Sequence, residues 1–78
     1  MNNSEKYKKT FIDSLSIETS IFNEGIKYNE FPEWDSIGHM TLMSGLEETF
    51  KITIETDDII DFSSYKKGKE ILKKYKVF

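Results

Sequence analysis

The chain has 78 residues, no cysteine, one histidine and a formal net charge of −3. This length allows one small domain, and six Phe, four Tyr and one Trp are enough to seed its core, so plain disorder is excluded. The lack of cysteine excludes disulfides and cysteine metal clusters, and a single histidine argues against a zinc or haem site. No stretch of about 18 apolar residues is present, so we expect no membrane span.

The lysines near the N-terminus are not followed by the apolar segment that a secretory signal needs. We therefore expect a cytoplasmic protein.

The first predicted element is an amphipathic helix over residues 4–15, whose apolar side chains recur at helical spacing on one side. These side chains are Tyr7, Phe11, Ile12 and Leu15. Residues 16–35 lack this period and contain Asn, Gly and Pro, so they predict a long loop held in place by apolar contacts. A loop of about 20 residues is unusual in a small domain and often has a function.

The second helix is predicted over residues 36–50. Pro32 discourages an earlier start, and Asp35 and Ser36 are both good N-cap residues. On one side of this helix the side chains are those of a core. These are Leu42, Met43, Leu46 and Phe50.

The remaining elements are a connector, one short helix and a last longer helix. Residues 50–54 predict an extended connector, residues 56–62 a capped helical turn, and Ser63 and Ser64 are candidate caps for a last helix with lysines on its outer side. The fold class is therefore all-α, a small four-helix bundle with three longer helices, one short helix and a long loop after the first. We expect a single domain over residues 1–78.

Charge is distributed unevenly along the chain. Residues 30–61 carry nine acids and one lysine, whereas residues 62–78 carry six lysines and one acid. An acidic segment of this density predicts long-range attraction of basic partners, and an ordinary solvated face is the alternative. The lysine-rich end is better explained as the outer face of a helix than as a nucleic-acid surface, because the chain as a whole is acidic. We expect no nucleic-acid partner.

The second face of helix 36–50 mixes apolar side chains with carboxylates. Its residues are Ser36, Ile37, Met40, Thr41, Ser44, Glu47 and Glu48. This mixture suggests a docking surface, although a helix wedged between two neighbours would bury both sides.

Ser36 has a distinctive position at the predicted start of this helix. Unpaired backbone N–H groups and the helix dipole favour negative charge there, so a phosphate ester on its hydroxyl would be stabilised. Simple N-capping is the alternative role. As a nucleophile Ser36 could use only His39 as a base, and the strand-turn-helix elbow of serine hydrolases is absent, so we expect no catalytic residue. For His39 itself we favour a half-buried, hydrogen-bonded structural role.

A longer pattern surrounds this serine. It comprises Asp35-Ser36-Ile37, Leu42, Leu46-Glu47-Glu48, Phe50, Ile52, Ile54 and Asp57-Asp58-Ile59. This pattern resembles the acyl carrier protein family, whose motif is Asp-Ser-Leu at the start of the second helix followed by Leu-Glu-Glu-x-Phe-x-Ile. The resemblance covers residues 34–75. The chain departs from the family in having Ile37 for leucine and a lysine-rich last helix.

The resemblance implies that Ser36 is the attachment point of 4′-phosphopantetheine, transferred from coenzyme A by a phosphopantetheinyl transferase, with Asp35 helping the transferase to hold its metal. The thiol of this arm would carry acyl groups as thioesters, in fatty-acid or specialised acyl biosynthesis, to enzymes with basic docking patches. The chain would be a monomer and not itself an enzyme. The implied partner contacts are Ile37, Met40, Thr41, Ser44, Glu47, Glu48, Asp57 and Asp58.

Two other functions remain open at this point. One is a non-catalytic acidic helical interaction module in which Ser36 is only a cap. The other is a carrier of aminoacyl cargo. Trp34, just before the serine, would pack against the long loop or line the path of the arm.

Overall fold

The computed structural model describes residues 2–78 and confirms a small all-α bundle. It contains α1 (Asn3–Leu15), α2 (Ser36–Phe50), α3 (Thr56–Asp61) and α4 (Tyr65–Lys74), and no strand in this part of the chain. None of these helices combines the length and the apolar character needed to cross a bilayer. Three longer helices and one short helix were predicted, and α2 has the predicted bounds.

The helix ends follow from local capping. α1 begins one residue earlier than predicted, because the Asn2 side chain accepts a hydrogen bond of 2.9 Å from Glu5 N–H. It ends at Leu15, and the C-cap residue Ser16 has a left-handed backbone with φ of 53°. At α4, the Ser64 side chain accepts from Lys67 N–H at 2.9 Å, which identifies the cap among the two candidate serines.

Aromatic side chains form the centre of the core. Tyr7, Phe11 and Trp34 are fully buried. Tyr7 stacks on Tyr65 with 4.4 Å between ring centroids, and Phe11 meets Trp34 edge-on at 5.0 Å. The remaining buried residues of the core are Leu15, Ile17, Ile26, Leu42, Met43, Leu46, Ile54, Phe62, Tyr65, Ile71, Leu72 and Val77. Of the core predicted on α2, only Phe50 is half-buried rather than buried.

The hydroxyl of Tyr7 is paired inside this core. It donates a 2.7 Å hydrogen bond to the Tyr65 carbonyl, which joins α1 to the start of α4. Burial raises the pKa of Tyr7, and burial together with the negative charge of Glu24 raises the pKa of Tyr65 to about 12. Both phenols therefore stay neutral in the folded protein at physiological pH.

α1 and α2 pack against each other closely. The Thr10 and Thr49 hydroxyls lie 2.9 Å apart across this contact. A Cβ atom at Gly45 would meet the Ser14 side chain and would lie 3.3 Å from the Thr10 methyl carbon. Gly45 costs α2 about 1 kcal/mol of helix propensity relative to alanine, and the close approach of α1 explains its presence.

The long loop is tied to the far end of the chain. Tyr28 N–H donates to the Ser63 carbonyl at 2.8 Å, and Tyr65 N–H donates to the Ile26 carbonyl at 3.0 Å. These bonds flank an isolated antiparallel bridge between residues 27 and 64. The loop is therefore a fixed part of the fold, because these bonds hold its residues 26–28 against the start of α4.

Candidate functional site

Ser36 is the first residue of α2, and its side chain is exposed. The capping role belongs to its neighbour, because Asp35 Oδ1 accepts a 2.8 Å hydrogen bond from Gly38 N–H. The Ser36 Oγ lies 3.4 Å from the Tyr28 hydroxyl, which is longer than a strong hydroxyl–hydroxyl hydrogen bond. The Ser36 hydroxyl is therefore accessible. It does not act as the N-cap, which was the alternative role predicted for it.

The segment before Ser36 folds back tightly on α2. A Cβ atom at Gly38 would collide with the Glu33 carbonyl and would lie 3.2 Å from a Leu15 methyl carbon. Gly38 therefore allows the backbone of residues 33–35 to pass directly over the first turn of the helix. This close approach fixes the position of Ser36 relative to the loop.

Trp34 anchors the same segment from inside. Its ring is fully buried between α1 and the loop, which places it in the core. Its indole Nε1 donates a 3.0 Å hydrogen bond to His39 Nδ1. The Trp34 ring also meets the loop rings of Tyr28 and Phe31, with centroids 5.9 and 6.3 Å away, so of its two predicted roles the structure shows packing against the loop.

His39 is half-buried and hydrogen-bonded, as expected for a structural histidine. Besides the bond from Trp34, its Nε2 lies 2.8 Å from the Ile59 carbonyl of α3. Both ring nitrogens are occupied by these partners, so the imidazole is not positioned as a base for Ser36.

An open cleft of about 270 Å³ lies between the loop, α2 and α3. Its lining is mainly apolar, and consists of Tyr28, His39, Ile59, Ile60, Phe62 and Ser63. Tyr28 connects the cleft to the start of α2, because its ring lines the cleft and its hydroxyl lies near Ser36. Sequence reasoning missed Tyr28, because it lies in a stretch without periodicity, eight residues before the serine.

Apolar side chains are exposed around the same end of α2. Ile37 is 79% exposed, Met40 is 53% exposed, and Ile60 of α3 is 73% exposed. Ile60 was not among the predicted contact residues. Four further residues of the predicted partner face are also exposed. These are Thr41, Ser44, Glu48 and Asp57.

Asp58, which was predicted to contact partners, is instead used within the fold. It is 6% exposed, forms an ion pair with Lys74, and accepts a 2.6 Å hydrogen bond from the Tyr75 hydroxyl. The hydrogen bonds from Lys74 and Tyr75 hold the pKa of Asp58 below its usual value. Because this carboxylate joins α3 to the end of α4, Asp58 is removed from the predicted contact surface.

Glu47 is also partly committed to the fold. It is half-buried, and its Oε2 accepts a 2.8 Å hydrogen bond from Ile54 N–H in the connector after α2. Glu48 is thus the more accessible of the two neighbouring glutamates. Within residues 2–78, no group of three histidine or acidic side chains is arranged to hold a metal ion.

Comparison of the chain with models of protein families, with curated proteins and with solved structures found no match.

Proposed function

We propose that the chain is an acyl carrier protein and that Ser36 carries a 4′-phosphopantetheine arm. The observation on which this rests is the accessible Ser36 hydroxyl at the first position of α2, with Asp35 acting as the cap in its place. A serine that neither caps its helix nor contacts a base is well placed for modification by another protein. The resemblance to the carrier motif supplies the identity of the arm.

The surroundings of Ser36 are compatible with such an arm. Its hydroxyl is exposed, and the Tyr28 hydroxyl, 3.4 Å away, could donate a hydrogen bond to a phosphodiester oxygen. In the transfer, Ser36 Oγ would form a bond to the phosphorus of coenzyme A that bears the pantetheine, the phosphoanhydride would break, and the nucleotide 3′,5′-bisphosphate would leave. The hydroxyl proton would go to a base of the transferase, since both nitrogens of His39 are occupied.

The arm would supply the thiol that this cysteine-free chain lacks, and acyl groups would be held there as thioesters. The chain itself would present the acyl group to partner enzymes. Exposed Ile37 and Met40 provide an apolar centre beside Ser36, and Glu48 and Asp57 provide surrounding negative charge. A small apolar contact with charged edges suits brief encounters with basic enzyme surfaces, because such charges increase the association rate more than the affinity.

The direct test is modification of the folded protein. Purified chain is incubated with coenzyme A, magnesium and a phosphopantetheinyl transferase of broad specificity, and its intact mass is measured. We expect the addition of one arm to the wild type, none to Ser36→Ala, and one to the matched control Ser44→Ala, whose serine is exposed on the same helix. An unmodified wild type, in a mixture that modifies an authentic carrier, would refute the proposal.

A non-catalytic interaction module is the second candidate, because the exposed Ile37, Met40 and Ile60 would serve a docking surface equally well. The same experiment separates the two functions. A module without an arm would stay unmodified and would bind its partner equally well with Ser36 or alanine at that position. An aminoacyl cargo would appear as a different mass on the loaded arm.

A further inference from the structure

The lysines of α4 lie on two sides of the helix. Lys67 and Lys74 line a surface pocket with Asp58 of α3, and the ion pair of Lys74 with Asp58 neutralises charge there. Glu70, the one acid of residues 62–78, lines the same pocket. At about 100° per residue, the three other lysines of the helix fall within an arc of about 60° on a different side. This lysine stripe consists of Lys66, Lys69 and Lys73.

The charge of the lysine stripe is not compensated. Within residues 2–78, none of its three ammonium groups forms an ion pair or a hydrogen bond with an acid. Lys66 and Lys73 are exposed, whereas Lys69 is half-buried. The Lys69 Nζ lies over the ring of Phe78, 5.2 Å from its centroid, and Phe78 is itself 37% exposed. An exposed aromatic ring therefore lies beside free positive charge.

The position of Phe78 is fixed by the fold. Val77, just before it, is buried, and its N–H donates to the Leu72 carbonyl at 3.2 Å. The Val77 carbonyl accepts a hydrogen bond from the Asn3 side chain of α1. The Phe78 ring meets Tyr7 edge-on with 5.8 Å between centroids. These contacts hold Phe78 next to the lysine stripe.

We propose that the lysine stripe and Phe78 form a binding surface for an anionic lipid bilayer. Each lysine close to such a surface strengthens binding about fivefold, because lipid phosphates and carboxylates attract its ammonium group. The ring of Phe78 would lie at the level of the headgroups. Protein interfaces are depleted in lysine, whereas lysine beside aromatic rings is typical of surfaces that lie on a membrane, so the pattern favours lipid over an acidic protein.

The acids of the chain would orient it on the bilayer. Residues 30–61 carry nine acids and one lysine, and anionic lipids repel them. The exposed Glu48 and Asp57 would therefore face away from the lipid. This inference goes beyond the proposed function and does not depend on the arm, since the lysine stripe is on α4 and the unmodified chain carries it.

The test is cosedimentation of the full, unmodified chain with lipid vesicles. One set contains equal parts of phosphatidylserine and phosphatidylcholine, and the other contains phosphatidylcholine alone. At about 0.1 M salt, where the Debye length is about 10 Å, we expect binding to the anionic set only, and release at about 1 M salt, where this length is about 3 Å. The proposal is overturned if the anionic vesicles bind no protein at the lower salt, or if both sets bind it equally.

A charge-matched pair of variants locates the surface. Replacing all three lysines of the stripe by glutamine is expected to weaken binding to the anionic vesicles on the order of 100-fold. The control replaces Lys6, Lys9 and Lys51, which are exposed elsewhere, and is expected to weaken binding less than about fivefold. Equal losses would overturn the assignment to the stripe.

Two measurements complete the test. Circular dichroism checks that both triple variants are folded, and the wild-type comparison of the two vesicle sets decides without them. Polyglutamate serves as the probe for an acidic protein partner. Binding of the wild type to polyglutamate that is tighter than its binding to anionic vesicles would overturn the lipid proposal.

Discussion

Tyr7 and Tyr28 show how differently two regions of this molecule use the same side chain. Tyr7 is fully buried and donates a 2.7 Å hydrogen bond to the Tyr65 carbonyl, whereas Tyr28 is 39% exposed and lies 3.4 Å from the Ser36 hydroxyl. In the interior, every buried side-chain nitrogen or oxygen among residues 2–78 has a partner. The start of α2 instead has an accessible hydroxyl and exposed apolar side chains. One region is built for stability, and the other remains available for binding.

The two regions are expected to differ most in how much stability is lost when one side chain is shortened to alanine. Phe11→Ala, in the aromatic interior, is expected to lower the free energy of unfolding by about 3–5 kcal/mol, because it leaves a cavity among Tyr7, Trp34 and Tyr65. Ile37→Ala, at the exposed start of α2, is expected to change it by less than about 0.5 kcal/mol. Urea unfolding followed by circular dichroism measures both. Equal losses would show that Ile37 is part of the core and would remove the contrast.

Asp58 provides a comparison between a buried and an exposed acid of α3. Asp58→Asn is expected to cost about 1–2 kcal/mol, because it weakens the bonds to Lys74 and Tyr75. The ion pair contributes only part of this, since the Lys74 side chain is 61% exposed. The matched control is Asp57→Asn, whose exposed carboxylate makes its loss nearly neutral.

The pH dependence of this comparison has a definite sign. The pKa of Asp58 is lowered in the folded protein, so its contribution is present above the unfolded value of about 4 and is lost as pH falls through the folded value. The stability difference between wild type and Asp58→Asn is therefore expected to be constant from neutral pH down to about pH 4 and to narrow below it. Unfolding curves at several pH values measure this. A difference that widens on acidification would contradict the assignment.

The smallest expected difference in the free energy of unfolding is between variants of two adjacent residues at the start of α2. Asp35→Ala is expected to cost about 1 kcal/mol, because Gly38 N–H loses its cap. Ser36→Ala is expected to cost less than about 0.5 kcal/mol, since its hydroxyl has only the long contact with Tyr28. Thermal or urea unfolding of the two variants decides between them. A reversed order would return the capping role to Ser36.

Local signals in the sequence predicted most of the fold. The bounds of α2 follow from Pro32, the capping residue and the spacing of its core leucines, all of which act within a few residues. For the two glycines of α2, Gly38 and Gly45, the sequence indicates only the cost in helix propensity. Their close contacts come from residues 33 and 10–14, whose positions depend on the tertiary fold.

The site was predictable in part for the same reason. Ser36 and the exposed Ile37 and Met40 follow from helix position. Asp58 could not be recognised as buried, because its partner Lys74 lies 16 residues away on another helix. Nor could the pairing of Trp34 with His39 be foreseen, since it depends on how an aperiodic loop turns back on α2.

The backbone bonds between the long loop and the start of α4 have a consequence for how the molecule opens. Tyr28 N–H and Tyr65 N–H are each paired across a separation of more than 30 residues, to Ser63 and Ile26 respectively. Because both bonds join the loop to the residues at the start of α4, opening of either segment breaks both, and the two segments are expected to open as one cooperative unit. Hydrogen exchange at the Tyr28 and Tyr65 amides is therefore expected to show similar protection, set by this shared opening.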